Sequence, residues 1–400
     1  ELAGEQDDFH YKLLQFKVIK QIGSGAFGKV QLCRHIQTEE KVVLKIINKS
    51  WVLQQQQLDH VKEENTTMME LSAHECPFTV KTLGSFQDEH KLYFVMEFIS
   101  GGELFAHLRG SKNGRFSEKK ARFYAAELML ALKYMHEHEH IVYRDIKPEN
   151  MLLDTEGHLK LIDFGFAKHL GESEKTYTFC GTPDYLAPEV IRGEGYNKEA
   201  DFWSLGVFIY ELQCGYAPFV TSDANGGVRY KDILNGQFSF PKWMTSTGKD
   251  LVSNLLAVDR KHRLGSKRGM IDVMEHPWFK DIDWNALERK AVKAPKPGKY
   301  KKGMVNLQPD LGRPSVYPAT SDIDQSLFSE FDAVVKNTEM GLVATKLPAS
   351  PSGVSLSQTV AAHGEAAKQD KSDATNMYSS DDDEDHEAHS SEAGAPKFKL

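Results

Sequence analysis

The sequence has 400 residues, of which 40% are hydrophobic and 26% are charged, a composition typical of a globular protein large enough for two lobes. The formal net charge of −8 argues against nucleic acid as a partner, and no run of 18 apolar residues predicts a membrane span. The four cysteines are far apart and form no C-x-x-C pair, which argues against disulfides and a zinc site. They indicate a reducing compartment, and we expect the cytoplasm, with the nucleus as the alternative.

The two ends of the chain differ from the rest. The N-terminus has neither the basic nor the apolar segment of a signal peptide, and without an initiator Met we expect a processed product or an excerpt of a longer chain. Residues 336–400 contain 6 lysines and 11 acidic residues, and so account for five of the eight net negative charges. Because they have few large apolar groups to bury, they are predicted to form a disordered acidic tail.

The first distinctive motif is a glycine-rich stretch. Gly23, Gly25 and Gly28 lie between two runs of alternating apolar and polar residues. A dinucleotide-binding fingerprint opens a helix, whereas the residues after Gly28 have the pattern of a strand. Strand, loop and strand predict a hairpin whose bare backbone can close over triphosphate oxygens, with an ordinary glycine turn as the alternative.

A lysine stands in the middle of the next apolar strand. Lys45 is flanked by five aliphatic residues, and an unpaired buried charge is costly, so we predict an anionic partner. The expected partners are nucleotide phosphates and a carboxylate on the following helix. Glu64 is the choice for that carboxylate, because Glu63 points about 100° around the helix. A lysine that reaches solvent is the alternative.

One short segment concentrates the groups that phosphoryl transfer needs. It contains Asp145, Lys147, Asn150 and Asp163, and a turn at 155–158 predicts a hairpin that folds its two ends together. We predict that Asp145 accepts a hydroxyl proton and that Lys147 faces the migrating phosphoryl group. The carboxylate of Asp163 and the amide of Asn150 are predicted to hold Mg²⁺.

Two further charged residues are predicted to support the helical half. We expect Asp201 to brace the catalytic turn by accepting hydrogen bonds from backbone N–H groups. Arg263 is the expected partner of Glu189 in a buried ion pair.

The polar loop between Asp163 and the motif at 181–189 predicts a phosphorylation switch. A phosphate on Thr178 would bring roughly two negative charges beside the catalytic turn. The cations expected to gather around it are Arg144, Lys168 and His60. The alternative is that Thr178 is only a loop hydroxyl.

These motifs occur in the order in which protein kinases carry them. Further shared phrases lie at 114–118, 121–126, 180–189 and 195–198. Over about residues 8–335 the chain resembles the AGC group of eukaryotic protein kinases, nearest to the cyclic-AMP-dependent kind and next to the cyclic-GMP-dependent kind. The resemblance implies an α+β fold with a small, mainly β N-lobe, a larger helical C-lobe and a C-terminal tail.

The resemblance also implies the domain boundaries. They are an N-terminal lead-in over 1–15, a catalytic domain over 16–279 with its N-lobe at 16–98 and C-lobe at 103–279, an AGC tail over 280–335 and the acidic tail over 336–400. In such kinases the residue that matches Met96 lies at the back of the adenine pocket, and the tail brings an aromatic residue, here Phe328, to the adenine. The assigned nucleotide contacts are Ile22, Gly23, Gly25, Phe27, Gly28, Val30, Lys45, Glu64, Met96, Glu97, Ile99, Glu103 and Phe328.

The function that the resemblance implies is transfer of the γ-phosphoryl group of ATP, with Mg²⁺, to Ser or Thr of proteins that carry basic residues before the acceptor. Lys147, two residues after Asp145, is typical of the Ser/Thr branch. The acids that match the arginine-binding carboxylates of the family are Glu103, Glu149 and Glu211. The residues that match its apolar pocket for the position after the acceptor are Phe179, Pro183 and Leu186.

The chain also departs from the family pattern. No cyclic-nucleotide-binding segment is present, so the expected partner is a separate regulatory subunit or an N-terminal regulatory region outside this sequence. The closing aromatic motif of the tail is not recognisable, and Phe398 is a poor candidate for it. The alternative functions are the catalytic part of a cyclic-GMP-dependent kinase and a pseudokinase scaffold. The presence of Lys45, Asp145, Asn150 and Asp163 favours catalysis over the scaffold. A small-molecule phosphotransferase would have no use for the peptide platform at 181–189.

Overall fold

The computed structural model describes residues 11–25, 28–74, 76–220, 228–296 and 323–334, all within Glu1–Thr345. The strands are β1 (Phe16–Gly25), β2 (Gly28–His35), β3 (Lys41–Asn48), β4 (Thr82–Gln87), β5 (Lys91–Glu97), β6 (Ile141–Val142), β7 (Met151–Leu153), β8 (Leu159–Leu161), β9 (Lys168–His169) and β10 (Ala333–Val334). The predicted acidic tail over 336–400 lies outside the described residues.

Most of the described helices come after β5 in the chain. They are α1 (Lys49–Gln54), α2 (Leu58–Ala73), α3 (Leu104–Arg109), α4 (Glu118–Glu137), α5 (Pro188–Ile191), α6 (Glu199–Cys214), α7 (Tyr230–Asn235), α8 (Ser246–Leu255), α9 (Met270–Met274) and α10 (Trp284–Glu288). Short 3₁₀ helices are found at Leu13–Gln15, Lys112–Gly114, Pro148–Asn150, Pro183–Tyr185, Pro277–Phe279 and Gln325–Phe331. Within the described ranges, no helix combines the length and the apolar character that crossing a bilayer requires.

The small lobe is built on an antiparallel sheet with the strand order β1-β2-β3-β5-β4-β10. Successive side chains of a strand point to opposite faces. On β3, Val42 and Leu44 therefore join one apolar cluster, whereas Val43 and Ile47 join another that includes residues of α2. Lys45 shares the side of Val43 and Ile47, and this alternation turns its amine toward α2.

The large lobe is built around α6. Every residue of this helix after Glu199 is buried, as is typical of a helix surrounded by other helices. Gly206 allows the close approach of α8, because a Cβ atom there would lie 2.8 Å from Cβ of Leu255. At the end of α6, Gly215 has φ 84°, the left-handed conformation that commonly terminates helices. The two lobes together form the predicted α+β, bilobal fold.

The described part of the tail, residues 323–334, packs on the small lobe. Its 3₁₀ helix places residues three apart on the same side, so Phe328 and Phe331 are both fully buried. β10 then pairs with β4. Gly84 makes this pairing possible, because a Cβ atom at that position would lie 2.5 Å from the carbonyl oxygen of Ala333.

The position of Phe328 corrects the expectation that it contacts the adenine. Its carbonyl oxygen accepts a hydrogen bond of 2.7 Å from Nε2 of Gln87 at the end of β4. Gln87 pairs with Leu92, four residues before Met96 on β5, and is therefore about 13 Å along the strand from the predicted adenine pocket. Phe328 anchors the tail at the opposite end of the sheet.

The docked tail contains a pair of aromatic residues, although no closing aromatic motif was recognisable in the sequence. Phe328 and Phe331 have ring centroids 6.1 Å apart, and Phe331 meets Phe94 edge to face at 6.2 Å. Nζ of the buried Lys49 lies 4.9 Å from the centroid of Phe328. The spacing of the two phenylalanines was the signal that sequence reasoning missed. Phe398 lies outside the described residues.

Candidate active site

The lysine of β3 meets two carboxylates in the cleft. Nζ of Lys45 lies 2.5 Å from Oε1 of Glu64 and 3.5 Å from Oδ1 of Asp163, so the predicted pairing with Glu64 is confirmed. Burial alone lowers the pKa of Lys45, but the two carboxylates outweigh it and raise the pKa, so the amine is charged. Desolvation raises the pKa of Asp163, but the charges of Lys45 and Lys147 and the hydrogen bond from the backbone N–H of Gly165 together outweigh it and hold the pKa below its usual range.

The predicted glycine hairpin is confirmed as the β1–β2 connection. Gly25 pairs with Gly28 at the end of the two strands. Gly28 cannot carry a side chain, because a Cβ atom there would lie 1.7 Å from the carbonyl oxygen of Ile46 on β3. The apolar residues predicted beside the loop, both partly buried against the core, are Ile22 and Val30. Phe27 lies outside the described residues.

The segment after β5 leaves backbone hydrogen-bonding groups unused. Met96 and Ile99 are buried, and the backbone N–H and C=O of Ile99 form no hydrogen bond with any described residue. They therefore remain available to a ligand. Oε1 of Glu97 accepts a hydrogen bond of 2.9 Å from Nζ of Lys160, which also donates to the carbonyl of Thr79 at 3.1 Å. Sequence reasoning missed this link, for which a lysine in the short strand β8 was the only signal.

The carboxylate of Asp145 is the centre of the catalytic loop. It is 4% exposed, and its Oδ2 lies 2.8 Å from Nζ of Lys147 and accepts a hydrogen bond of 2.7 Å from Asn150. Oδ1 accepts a hydrogen bond of 2.7 Å from the hydroxyl of Thr182, which in turn accepts one of 2.9 Å from Lys147. Thr182 was missed, because only folding brings the 181–189 segment to the loop.

The predicted brace of this loop is confirmed. Oδ2 and Oδ1 of the fully buried Asp201 accept hydrogen bonds of 2.8 Å from the N–H groups of Tyr143 and Arg144. Nε2 of His136 lies 2.8 Å from the same carboxylate. Arg144 has φ 68°, an unusual value for a residue with a side chain, so Asp201 holds the turn in a conformation that it would rarely adopt alone.

The predicted hairpin at 155–158 is confirmed as the β7–β8 turn. Gly157 has φ 94°, and Oδ1 of Asp154 accepts hydrogen bonds from two backbone N–H groups of the turn. The hairpin returns the chain so that the N–H of Ile162 donates to the carbonyl of Asn150 at 3.1 Å. Asp163 therefore lies beside the catalytic loop.

Two of the gathered side chains fit a magnesium ion. Mg²⁺ prefers carboxylate and amide oxygens. The side chain of Asp163 is 46% exposed, and the amide nitrogen of Asn150 is taken by Asp145, which leaves its amide oxygen for a cation. This donor set supports the predicted assignment of Asn150 and Asp163 to a metal.

The predicted arginine-binding acids lie on the large lobe. Glu211 is buried and accepts a hydrogen bond from the hydroxyl of Tyr185. Burial, with a smaller contribution from the charge of Glu149, raises the pKa of Glu211 to about 7. The charge of Arg109 opposes this shift, and sequence reasoning missed that residue because it lies at the end of α3. Glu103 immediately precedes α3.

The three residues predicted to line an apolar pocket differ in exposure. Leu186 is buried, Pro183 is exposed and the side chain of Phe179 is 51% exposed. Gly181, with φ 107°, allows this segment to approach the catalytic turn, since a Cβ atom there would lie 2.7 Å from the carbonyl oxygen of Arg144 and 3.3 Å from Leu186. The segment therefore presents apolar surface directly beside the catalytic turn.

The structure brings together part of the group that is predicted to surround a phosphate on Thr178. Nη1 of Arg144 lies 3.4 Å from the hydroxyl of Thr176, which lies 3.2 Å from the hydroxyl of Thr178. Thr176, a buried residue that sequence reasoning missed, thus connects the two. Lys168 is on β9, and its amine forms none of the described hydrogen bonds or ion pairs. His60 is exposed and pairs with Gln57 at 2.8 Å, so no described hydrogen bond joins it to Thr178.

The chain matches one large protein family. A family model described as protein kinase domain matches residues 16–279. The cAMP-dependent protein kinase catalytic subunit of Dictyostelium discoideum is 44% identical over 285 residues, which are 71% of this chain and 42% of that protein. The cAMP-dependent protein kinase catalytic subunit 3 of Drosophila melanogaster is 43% identical over 286 residues, which are 71% of this chain and 47% of that protein.

A third relative is matched over more of its own length. The cAMP-dependent protein kinase type 3 of Saccharomyces cerevisiae is 42% identical over 286 residues, which are 71% of this chain and 69% of that protein. The chain thus spans less than half of the first two relatives and about two thirds of the third.

Proposed function

The chain belongs to the protein kinase family, and from that membership and the geometry of the cleft we propose that it is a serine/threonine protein kinase of the cyclic-AMP-dependent type. Its reaction is transfer of the γ-phosphoryl group of ATP, with Mg²⁺, to Ser or Thr of proteins with basic residues before the acceptor. The names of the relatives support cyclic AMP over cyclic GMP as the upstream signal. A regulatory subunit, or a regulatory region of the same protein, is the proposed partner.

One observation carries the proposal. The charged amine of Lys45 contacts both Glu64 and Asp163, while Lys147, whose charge also helps to lower the pKa of Asp163, contacts Asp145. A structural ion pair would need only one carboxylate. A buried lysine between a helix carboxylate and a partly exposed one is suited to binding nucleotide phosphates beside a metal.

The residues divide the reaction between them. The hydroxyl oxygen of the acceptor attacks the γ-phosphorus, its proton passes to the carboxylate of Asp145, and the bond to the β–γ bridging oxygen breaks to leave ADP. Lys147, 2.8 Å from Asp145, places a positive charge beside the migrating group. Lys45 orients the remaining phosphates. When Mg²⁺ is bound by Asn150 and Asp163, it neutralises phosphate charge.

A peptide library tests this function. The purified chain is given Mg-ATP and serine peptides that vary at the two and three positions before the acceptor, with and without a cAMP-binding regulatory subunit. We expect Arg-Arg-x-Ser peptides to rank first and the regulatory subunit to inhibit until cAMP is added. The proposal would be contradicted if no peptide were phosphorylated, or if peptides with and without arginine were phosphorylated equally well.

The pKa of Glu211 predicts a pH dependence of peptide binding. Near pH 7 the carboxyl is about half protonated, and an arginine of the peptide needs the carboxylate. The KM for an arginine-containing peptide should therefore fall by about tenfold from pH 6 to pH 8, as the ionised fraction rises. Glu211→Gln should give a high KM at both pH values. A Glu156→Gln control should behave like the wild type, and an equal KM at pH 6 and pH 8 would rule out this role for Glu211.

Phosphorylation of Thr178 is predicted to raise activity. The phosphate would give Arg144 a charged acceptor close to Thr176, and one charge-assisted hydrogen bond contributes about 1.5–3 kcal/mol. Dephosphorylated wild type and Thr178→Ala should therefore have kcat/KM values roughly tenfold or more below the phosphorylated wild type. Ser173→Ala, an exposed hydroxyl of the same loop, serves as the control. Equal rates for Thr178→Ala and the phosphorylated wild type would exclude the switch.

A further inference from the structure

A single histidine joins β9 to helix α2. The backbone N–H of His169 donates to Oε1 of Glu63 at 3.2 Å. Its ring nitrogen Nε2 lies 3.1 Å from Oε2 of Glu70, and Glu63 and Glu70 are both on α2. Its other ring nitrogen, Nδ1, lies 3.2 Å from the carbonyl oxygen of Glu139, on the loop after α4. The histidine therefore lies between the helix that carries Glu64 and the large lobe.

A second histidine extends the contact. His74, which caps the end of α2, has its Nδ1 3.0 Å from Oε1 of Glu139. The hydroxyl of Tyr134 on α4 donates to the same oxygen at 3.0 Å. We call Glu70, His74, Glu139 and His169 the histidine–glutamate cluster. It ties the last two turns of α2 to both β9 and the end of α4.

The ring of His169 needs two protons to satisfy its neighbours. A neutral imidazole carries one N–H group, whereas Nδ1 and Nε2 face a carbonyl oxygen and a carboxylate. In the neutral ring, Nε2 can accept a hydrogen bond from the hydroxyl of Thr67, 3.4 Å away. The carboxylate of Glu70 then faces the lone pair of Nε2 instead of a proton. The contact with Glu70 is an ion pair, which only the imidazolium form can make while Nδ1 donates to the carbonyl oxygen of Glu139.

We propose that the histidine–glutamate cluster is a protonation-dependent latch that positions α2, and with it Glu64 against Lys45. His169 is its positioning residue, since it touches neither substrate nor nucleotide. The latch rests on the proposed function, because its effect on turnover requires that the Lys45–Glu64 pair serves phosphoryl transfer. The charged groups that face His169 are Glu63 and Glu70 from α2 and Glu139 from the loop after α4, and none of them is a cation.

The sign of the pH effect follows from these neighbours. The contact with Glu70 raises the pKa of His169 above its ordinary value of 6.5, against the smaller opposing effect of burial. The latch is therefore complete below pH 6.5 and is lost as the pH rises through the raised pKa. As the pH rises over this window, loss of the latch should lower kcat, whereas ionisation of Glu211 should lower the KM for the peptide. The two effects can therefore be distinguished, because one changes kcat and the other changes KM.

The test measures kcat at saturating Mg-ATP and peptide between pH 6 and pH 8.5. The kcat of the wild type should fall roughly two- to fivefold as the pH rises, because a partly exposed ion pair contributes a free energy of that size. His169→Arg should keep the high value across the range, and His169→Gln should have the low value throughout. His262→Gln, an exposed histidine that pairs with Asp259, is the control and should follow the wild type. A His169→Gln curve that coincides with the wild-type curve would overturn the latch.

Hydrogen–deuterium exchange of residues 58–73, corrected for intrinsic rates, gives a second readout that needs no turnover. Protection of α2 should fall with pH in the wild type, stay high in His169→Arg and stay low in His169→Gln. If no peptide is phosphorylated by any form, the proposed function fails, and the exchange data alone decide the latch. Equal protection in the two variants would then contradict it.

Discussion

Asp145→Asn is expected to lower kcat by about 100- to 10,000-fold, the contribution typical of a positioned general base. The substitution removes the proton acceptor but keeps the shape that Asn150 and Thr182 contact. Nucleotide affinity should change little, because Lys45 pairs with Glu64 and Asp163 and not with Asp145. The measurement is steady-state turnover of an Arg-Arg-x-Ser peptide, together with nucleotide binding by calorimetry.

A matched carboxylate controls for charge. Asp281→Asn removes an acid that is exposed and pairs with Arg122, remote in sequence from the catalytic loop, and should leave kcat unchanged. Retention of more than a few per cent of activity by Asp145→Asn would overturn the assignment of the base. If Asp145→Asn lost nucleotide affinity to the same extent as activity, Asp145 would instead be a nucleotide-binding residue.

Arg263→Met is expected to destabilise the protein by about 3–5 kcal/mol, because it leaves a buried carboxylate without its partner. Nη1 and Nη2 of Arg263 lie 2.6 and 2.9 Å from the two carboxylate oxygens of Glu189, and both residues are fully buried. The guanidinium also donates to the carbonyl oxygens of Ala257 and Glu199. The measurement is the free energy of unfolding in urea.

The control for this prediction is an exposed arginine. Arg268→Met removes ion pairs with Asp272 and Glu275 at the surface, where solvent screens the charges, and should destabilise the protein far less than Arg263→Met. The double variant Glu189→Met with Arg263→Met should recover part of the loss, because it removes both charges together. Additive losses in the double variant would show that the pair is not coupled.

Much of the site was predictable because its charges have strong requirements. Lys45 in an apolar strand needs a carboxylate, and the helix that follows offers Glu64 on the correct face. The pairing of Arg263 with Glu189 and the brace by Asp201 follow the same rule, since a buried charge needs a partner. The β7–β8 hairpin follows from turn residues between two apolar runs.

Other parts of the site depend on contacts between distant segments of neutral or flexible groups. Thr182 reaches Asp145 only because the 181–189 segment folds back over the catalytic turn, and a threonine has no charge that demands a partner. Arg109 lies on an exposed helix end, where many partners are available. Phe328 was assigned to the adenine because the order of motifs suggested it, whereas its spacing from Phe331 in a 3₁₀ helix places both rings on the small lobe.

The proposed function requires that Lys45, Asp145, Asn150 and Asp163 surround one magnesium-bound triphosphate. It is tested most directly by measuring ATP affinity at increasing Mg²⁺ for the wild type, Asp163→Asn and Asp145→Asn. The predicted result is one nucleotide site whose affinity rises with Mg²⁺ in the wild type and Asp145→Asn, but not in Asp163→Asn. A chain that binds no Mg-ATP, or an Asp163→Asn variant whose ATP affinity still rises with Mg²⁺, would show that these residues do not form a Mg-ATP site.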